Sequence, residues 1–243
     1  MKILIIRHGE PDYSIDSLTE KGWREAELLS DRLLKMNIDD FYCSPLGRAK
    51  DTAKPTLEKY GATAEILPWL EEFRGRIPEH GKNRQTIPWD LHPSFWENDE
   101  KVYDRNFWVN GEIVKNGNSK EIFEETKAGF DALLEKYGYK RKGMLFECEE
   151  NTKKTIALFC HFGLGAALVG YMAGISPFLM WHSFFMPPSS VTTLISSEVR
   201  KGCVSFRCMQ MGDTSHLYAA GEPNSDSGLM PEIFDPNSPR NID

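Results

Sequence analysis

The segment "MKILIIRHGE", residues 1–10, runs from an unbroken apolar stretch straight into arginine, histidine and glycine. Lys2 to Ile6 read as a short strand, and apolar residues at consecutive positions mark a strand covered on both faces, as in a parallel sheet between helical layers. The segments that follow repeat the theme. "SLTEKGWREAELLSDRLLKM" (17–36) spaces Trp23, Ala26, Leu29, Leu33 and Met36 as one helical face, with Thr19 or Ser17 as the N-cap. "DDFYCSP" (39–45) is a second strand stopped by proline, and "LGRAKDTAKPTLEKYG" (46–61) is a helix closed by Gly61 and kinked or broken at Pro55. "ATAEILPWL" (62–70) reads as a third strand and "KKTIALFCHFG" (153–163) as a fourth, followed by the small-residue helix "LGAALVGYMAG" (164–174). "SVTTLISSEV" (190–199) and "CVSFRCMQM" (203–211) pair through the Arg200-Lys201-Gly202 turn. Strands alternating with helices predict an α/β fold, a three-layer sandwich around a mainly parallel central sheet.

Between the third and fourth strands the alternation lapses. Residues 74–119 hold Trp89, Phe95, Trp96, Tyr103, Phe107 and Trp108 among prolines, asparagines and charges. So long and aromatic a stretch reads as an inserted cap on one domain spanning 1–243. The helix "KEIFEETKAGFDALLEKYG" (120–138) closes the insertion, and the tail at 222–243, rich in Pro, Asn, Asp and Ser, reads as extended.

The 243 residues are 40% hydrophobic, and a formal net charge of −7 argues against a nucleic-acid binder, whose surface would be basic. Cys43, Cys148, Cys160, Cys203 and Cys208 are odd in number and lack C-x-x-C spacing, which favours reduced thiols over disulfides or a metal site. No apolar run is long enough for a signal-peptide core or a membrane span. These features predict a cytoplasmic protein without a membrane partner. Its oligomeric state is not legible.

In a parallel α/β sheet the carboxyl ends of the strands share one rim, where ligands bind. The first strand delivers Arg7-His8-Gly9 there. The second delivers Ser44-Pro45 with Arg48 in the next helical turn, and the fourth delivers Cys160-His161-Phe162-Gly163 at another helix start. Two imidazoles, two guanidinium groups and the N–H groups of helix starts suit a phosphoryl group. The absence of H-E-x-x-H, G-x-x-x-x-G-K-[ST] and G-x-S-x-G patterns disfavours a zinc or magnesium hydrolase and a serine esterase. No metal or cofactor is expected.

"LIIRHGE", "LTEKGWREA", "CSPLGRAKDTA" and "LFCHFGLGAAL", in that order, resemble the histidine phosphatase superfamily, which includes phosphoglycerate mutases. "PPSSVTTL" and "GDTSHL" resemble its closing segments. The resemblance implies that His8 attacks phosphorus to form a phosphohistidine, and that Arg7, Arg48 and His161 hold the phosphoryl oxygens. Gly9 lets the backbone approach the ligand. It further implies that a glutamate in "WLEEFRG" (69–75) protonates the leaving alcohol. Counting from Leu70 selects Glu72, the preferred position, whereas counting back from Gly75 selects Glu71. Arg48 has Asp51 or Asp12 within plausible reach as an ion-pair partner, and Glu10 and Tyr13 stand near the nucleophile. His80, His92, His182 and His216 receive no catalytic role, although His182 stands just before a loop that could approach the rim. The expected activity is hydrolysis of a small phosphorylated metabolite. The alternatives are mutase-type phosphoryl transfer and a non-catalytic protein that binds a phosphorylated ligand. "EPDYS" after "RHG" departs from the glycolytic mutases and ranks the phosphatase first.

Overall fold

A computed structural model describes residues 1–79 and 84–229. His80, one of the histidines given no role, and the tail beyond residue 229 lie outside the described residues. Eight strands form one sheet: β1 (Lys2–Arg7), β2 (Asp40–Cys43), β3 (Glu65–Ile66), β4 (Lys140–Lys142), β5 (Leu145–Glu147), β6 (Thr155–Cys160), β7 (Val191–Arg200) and β8 (Cys203–Asp213). Their spatial order is β3-β2-β6-β1-β7-β8-β5-β4. The half from β3 to β1 is parallel, and the remaining neighbours pair antiparallel, with β7–β8 and β4–β5 as hairpins. The helices are α1 (Glu20–Leu33), α2 (Gly47–Tyr60), the single turn α3 (Glu100–Tyr103), α4 (Ser119–Glu135), α5 (Phe162–Ala173), α6 (Pro177–Ser183) and α7 (Ser215–Ala220).

The opening strand explains the layers. Leu4 and Ile6 join Leu29 and Leu33 of α1 and Ala49 and Ala53 of α2 in one apolar cluster. Ile3 and Ile5 point the other way, into a larger cluster with α4, α5 and α6. A period of two divides the same four residues between two cores, and all four are fully buried. The small residues of α5 bring that helix close to the sheet: a Cβ added to Gly165 would sit 3.1 Å from Ile5.

Two local expectations meet corrections, and a third narrows to one of its two alternatives. The helix α2 passes through Pro55 without ending, and closes at Gly61 in the left-handed conformation (φ 62°). The fold's packing overrides the lost hydrogen bond there, with Ala53, Pro55 and Thr56 all buried. The third strand shrinks to Glu65–Ile66, because Pro68 opens a 3-10 turn over Pro68–Leu70 that leaves the sheet edge. At α1 the N-cap is Thr19, whose hydroxyl accepts from the Gly22 N–H at 3.0 Å.

The segment 74–119 buries Leu91, Trp96, Val102, Trp108 and Val114 in the same cluster as α4 to α6. Trp108 lies edge-on to Trp181 of α6 at 5.4 Å, and Trp96 meets Phe178 at 5.4 Å.

Gly22 of the "LTEKGWREA" segment has a steric reason. An added Cβ would collide with the carbonyl oxygen of Glu10, where the loop after β1 crosses α1. Backbone cannot yield as a side chain tip can, so Gly22→Ala is expected to destabilise by about 1–3 kcal/mol. Thermal unfolding should fall by about 2 °C or more, and an unchanged midpoint would refute this close approach.

Candidate active site

The backbone fixes His8 from both sides. Its N–H donates to the Cys160 carbonyl at the end of β6, and its own carbonyl accepts from the Ser189 N–H, each at 3.0 Å. Ser189 adopts a left-handed conformation (φ 56°) in the turn before β7. The His8 ring is 2% exposed, and its Nδ1 lies 2.7 Å from the Gly9 carbonyl. A carbonyl only accepts, so Nδ1 carries the hydrogen and Nε2 keeps its lone pair. Burial, with Arg7 nearby, holds the His8 pKa well below the ordinary histidine value, so the ring is neutral at neutral pH.

His161 faces it, ring centroids 5.2 Å apart. The adjacency follows from strand order, since β1 and β6 are parallel neighbours that end together at Arg7 and Cys160. His161 is buried, its Nε2 lies 2.7 Å from the Ser44 hydroxyl at the end of β2, and its Nδ1 is buried with no partner. Burial and the neighbouring His8 depress its pKa strongly.

Arg7 donates Nη1 to the Met186 carbonyl and Nη2 to the Ser227 carbonyl, both at 2.7 Å, and its Nε is buried and unpartnered. Phe162 and Phe185 lie 5.6 and 5.4 Å from its guanidinium carbon. Burial lowers its pKa to about 10, which leaves it a cation at neutral pH. Arg48 donates Nη1 to Asp16 at 2.6 Å, and its Nε too is buried without a partner. The partner is therefore neither Asp51 nor Asp12. Asp16 also accepts from the Gly47 N–H at 2.7 Å, so one carboxylate fixes both the start of α2 and the arginine in its first turn. Asp51 instead accepts from Ser17, and Asp12 from Ser14.

The two glutamates diverge. Glu71 forms an ion pair with Arg74 at 3.1 Å on the surface. Glu72 turns inward, and its Oε1 accepts from the Phe73 N–H at 2.8 Å and from the Leu164 N–H at 3.0 Å. The Gly163 N–H adds a third contact. Burial raises the Glu72 pKa above the ordinary carboxyl value, and these backbone donors oppose the rise without cancelling it. The Gly163 carbonyl accepts from Trp181 Nε1 at 2.8 Å, and Trp89 of the insertion covers Gly163 so closely that no Cβ would fit. Two tryptophans thus hold the start of α5 against Glu72, which is itself half-buried.

Two sequence expectations change in detail. The first N–H groups of α2 and α5 are occupied by Asp16 and Glu72 instead of facing an open pocket. Gly9 is confined by α1: an added Cβ would lie 2.8 Å from the Gly22 carbonyl, while the Gly9 N–H donates to Thr52 Oγ1 at 2.9 Å. Of the residues near His8, Glu10 accepts from the Thr19 hydroxyl, and exposed Tyr13 lies 5.4 Å from the Arg48 guanidinium carbon. His182 stacks on Phe178 at 4.4 Å and His216 contacts Ser189 at 3.2 Å, both away from the His8–His161 pair in their bonding. His92 caps the turn at Pro93–Phe95.

Sequence reasoning placed Ser44 at the rim without a role, and passed over Asp16, Thr52 and Met186, because each acts through a distant partner. Of these three only the Asp16 position, in the loop before the first helix, carried a local signal, as a charged residue within the loop that follows "RHG".

Comparison with known proteins adds to this geometry. The sequence pattern of the histidine phosphatase superfamily (branch 1) matches residues 3–208. The adenosylcobalamin/alpha-ribazole phosphatase of Escherichia coli (strain K12) is 26% identical over 192 residues, covering 75% of this chain and 84% of that protein. Among solved structures, a mycobacterial glucosyl-3-phosphoglycerate phosphatase complexed with VO3 superposes with a TM-score of 0.58 at 19% identity, covering 86% of this chain and 97% of the other. A phosphoserine phosphatase mutant from Entamoeba histolytica, in complex with phosphoserine, superposes at 0.56 with 21% identity, covering 89% and 98%. These two likenesses concern the fold.

Proposed function

The chain belongs to the histidine phosphatase superfamily (branch 1), and from that premise we propose that it hydrolyses a phosphate monoester of a small metabolite through a phosphohistidine on His8. One observation carries the reading. Arg7 Nε, Arg48 Nε and His161 Nδ1 are buried polar atoms without partners, gathered around a neutral His8. Buried donors without acceptors are costly, and a phosphoryl group brings the oxygens that would satisfy them.

In the proposed reaction His8 Nε2 attacks phosphorus as the bond from phosphorus to the ester oxygen breaks. Glu72 gives its proton to the departing alcohol, which its raised pKa favours. The resulting carboxylate then takes a proton from water, whose oxygen attacks phosphorus and releases His8 and inorganic phosphate. Arg7, Arg48 and His161 bear the charge on the three non-bridging oxygens. Ser44 and Asp16 position His161 and Arg48. The aromatic insertion acts as a cap whose Trp89 packs over the start of α5 beside Glu72. Among the described residues no cluster suited to a metal ion occurs and no helix is long and apolar enough to cross a membrane. The five cysteines are free thiols, which suits a reducing compartment, and we assign the protein to the cytoplasm.

The test is a screen of phosphorylated sugars, sugar acids and amino acids for phosphate release, with acid-quenched protein examined by mass spectrometry for phosphate on His8. Turnover with a labile phosphohistidine at that position is expected. Isomerisation of 3-phosphoglycerate that requires a bisphosphate primer would replace hydrolysis by mutase chemistry. Tight phosphate binding without turnover would make the protein a binding module.

A further inference from the structure

A second cavity, of about 270 Å³, lies at the other end of α5 from His161. Its lining includes Gly170, Tyr171 and Gly174 around the C-terminal end of that helix, whereas the catalytic residues gather at its N-terminal end. A helix of 12 residues separates the two by roughly 18 Å at 1.5 Å per residue. Pro177 at the start of α6 adds to that end, and three other elements complete the walls, the insertion near Arg105, α4 near Lys127, and the β4–β5 hairpin near Arg141.

Each of those elements contributes one cation, and the states of the cations differ. Arg141 is largely buried and lies over the Tyr171 ring, its guanidinium carbon 3.8 Å from the ring centroid, with the Phe146 ring centroid at 4.3 Å. Asp131 accepts from its Nε at 2.8 and 2.9 Å and from the Tyr171 hydroxyl at 2.7 Å, which fixes the plane. The forked edge of the same guanidinium is poorly served. Nη1 reaches only the Gly143 carbonyl, at 3.4 Å, and Nη2 points at the Met172 sulfur at 3.2 Å, a weak acceptor. Lys127 sits 5.7 Å from the Tyr171 ring and pairs with Glu124 at 2.8 Å. Arg105 is exposed, and among the described residues no acidic side chain pairs with it. Three cations therefore meet two carboxylates, Glu124 in the lining and Asp131 behind Arg141, which leaves a net positive charge in a chain whose formal net charge is −7. A local excess of positive charge against that background attracts anions.

We propose that this cavity binds a small organic oxyanion, a carboxylate or phosphate ester with an apolar body, at a site separate from the phosphoryl pocket. The oxyanion would take the Nη1–Nη2 edge of Arg141 as a bidentate partner, the geometry guanidinium groups favour. Arg105 and Lys127 would close over its remaining charge. Its body would rest on Val109, Met144 and Ile175, which give the cavity an apolar wall. The volume lies just below the range typical of drug-sized ligands and suits a metabolite.

Phenylphosphonate is a suitable probe, since its carbon–phosphorus bond resists hydrolysis. Calorimetric titration of wild type is expected to need two sites. An Arg105→Glu, Lys127→Glu double variant should keep one and bind at the other about tenfold more weakly or worse. Arg105→Glu alone, at an exposed position where folding is not at stake, should give a smaller loss at that same site. Hydrolysis of p-nitrophenyl phosphate by both variants should stay within about twofold of wild type, and Arg48→Ala should weaken only the other site. A single site in wild type that Arg48→Ala removes and the double variant spares would overturn the proposal, as would two sites unaffected by the charge reversals. The outcome does not depend on whether the His8 pocket turns over.

Discussion

Replacing His8 with alanine is expected to lower turnover by about four orders of magnitude or more while leaving the fold in place. Without an imidazole Nε2 no covalent intermediate forms, and the arginines can hold a phosphate but cannot open the path to its hydrolysis. The variant should still bind phosphate, because Arg7, Arg48 and His161 keep their own anchors at Met186, Asp16 and Ser44. Some stability is lost with the contact to the Gly9 carbonyl, about 1–3 kcal/mol for a buried acceptor left alone, and the loss should depend on pH. The folded-state pKa of His8 is depressed, so between that value and the unfolded value near 6.5 the unfolded chain binds the extra proton. Stability contributed by keeping this ring neutral is present above the unfolded pKa and drains away as pH falls. His8→Ala should therefore narrow the gap between wild-type stability at pH 7.5 and at pH 5, as read from denaturant midpoints. Retention of more than a few per cent of activity in the folded variant would remove His8 as the nucleophile.

The second large effect concerns the paired glutamates. Glu72→Gln is expected to slow hydrolysis of alkyl phosphates by about 10²–10³, and Glu71→Gln by no more than about twofold, in keeping with surface substitutions. The leaving group discriminates further. An alkoxide needs the proton and a p-nitrophenolate does not, so the Glu72→Gln defect should shrink sharply on p-nitrophenyl phosphate. In wild type, kcat/KM for an alkyl phosphate should fall as pH rises through the raised pKa of Glu72, and this limb should vanish in the variant. The same carboxyl opposes folding as it ionises. Its folded pKa lies above the unfolded value, so the unfolded chain loses the proton first and stability declines with rising pH between the two. Glu72→Gln, which cannot ionise, should gain stability relative to wild type from pH 4 to pH 7. An equal defect on both substrate types, or a larger one for Glu71→Gln, would move the acid elsewhere.

Much of this architecture was legible from the chain alone, for reasons that are local. Ile3, Leu4, Ile5 and Ile6 state by their apolar run that both faces of the first strand are covered, and period-two geometry allows no other arrangement. Gly61 and Gly202 marked a helix end and a hairpin turn, and both adopt positive φ. Adjacent parallel strands ending in Arg7-His8 and Cys160-His161 placed two imidazoles at one rim once the alternation of strands and helices was read.

Where the signal failed, its range was too short. The reach of the third strand and the passage of α2 through Pro55 were settled by packing against the rest of the fold, which residue propensities do not carry. The divergence of Glu71 and Glu72 has the same origin. Both follow an irregular turn with no periodicity to aim them, and what draws Glu72 inward is a backbone N–H 92 residues away. Sequence by itself determined which chemical groups stand at the strand ends. Tertiary structure alone decided which of their donors remain unsatisfied, because a hydrogen bond to Asp16, Ser44 or Met186 depends on where distant parts of the chain come to rest.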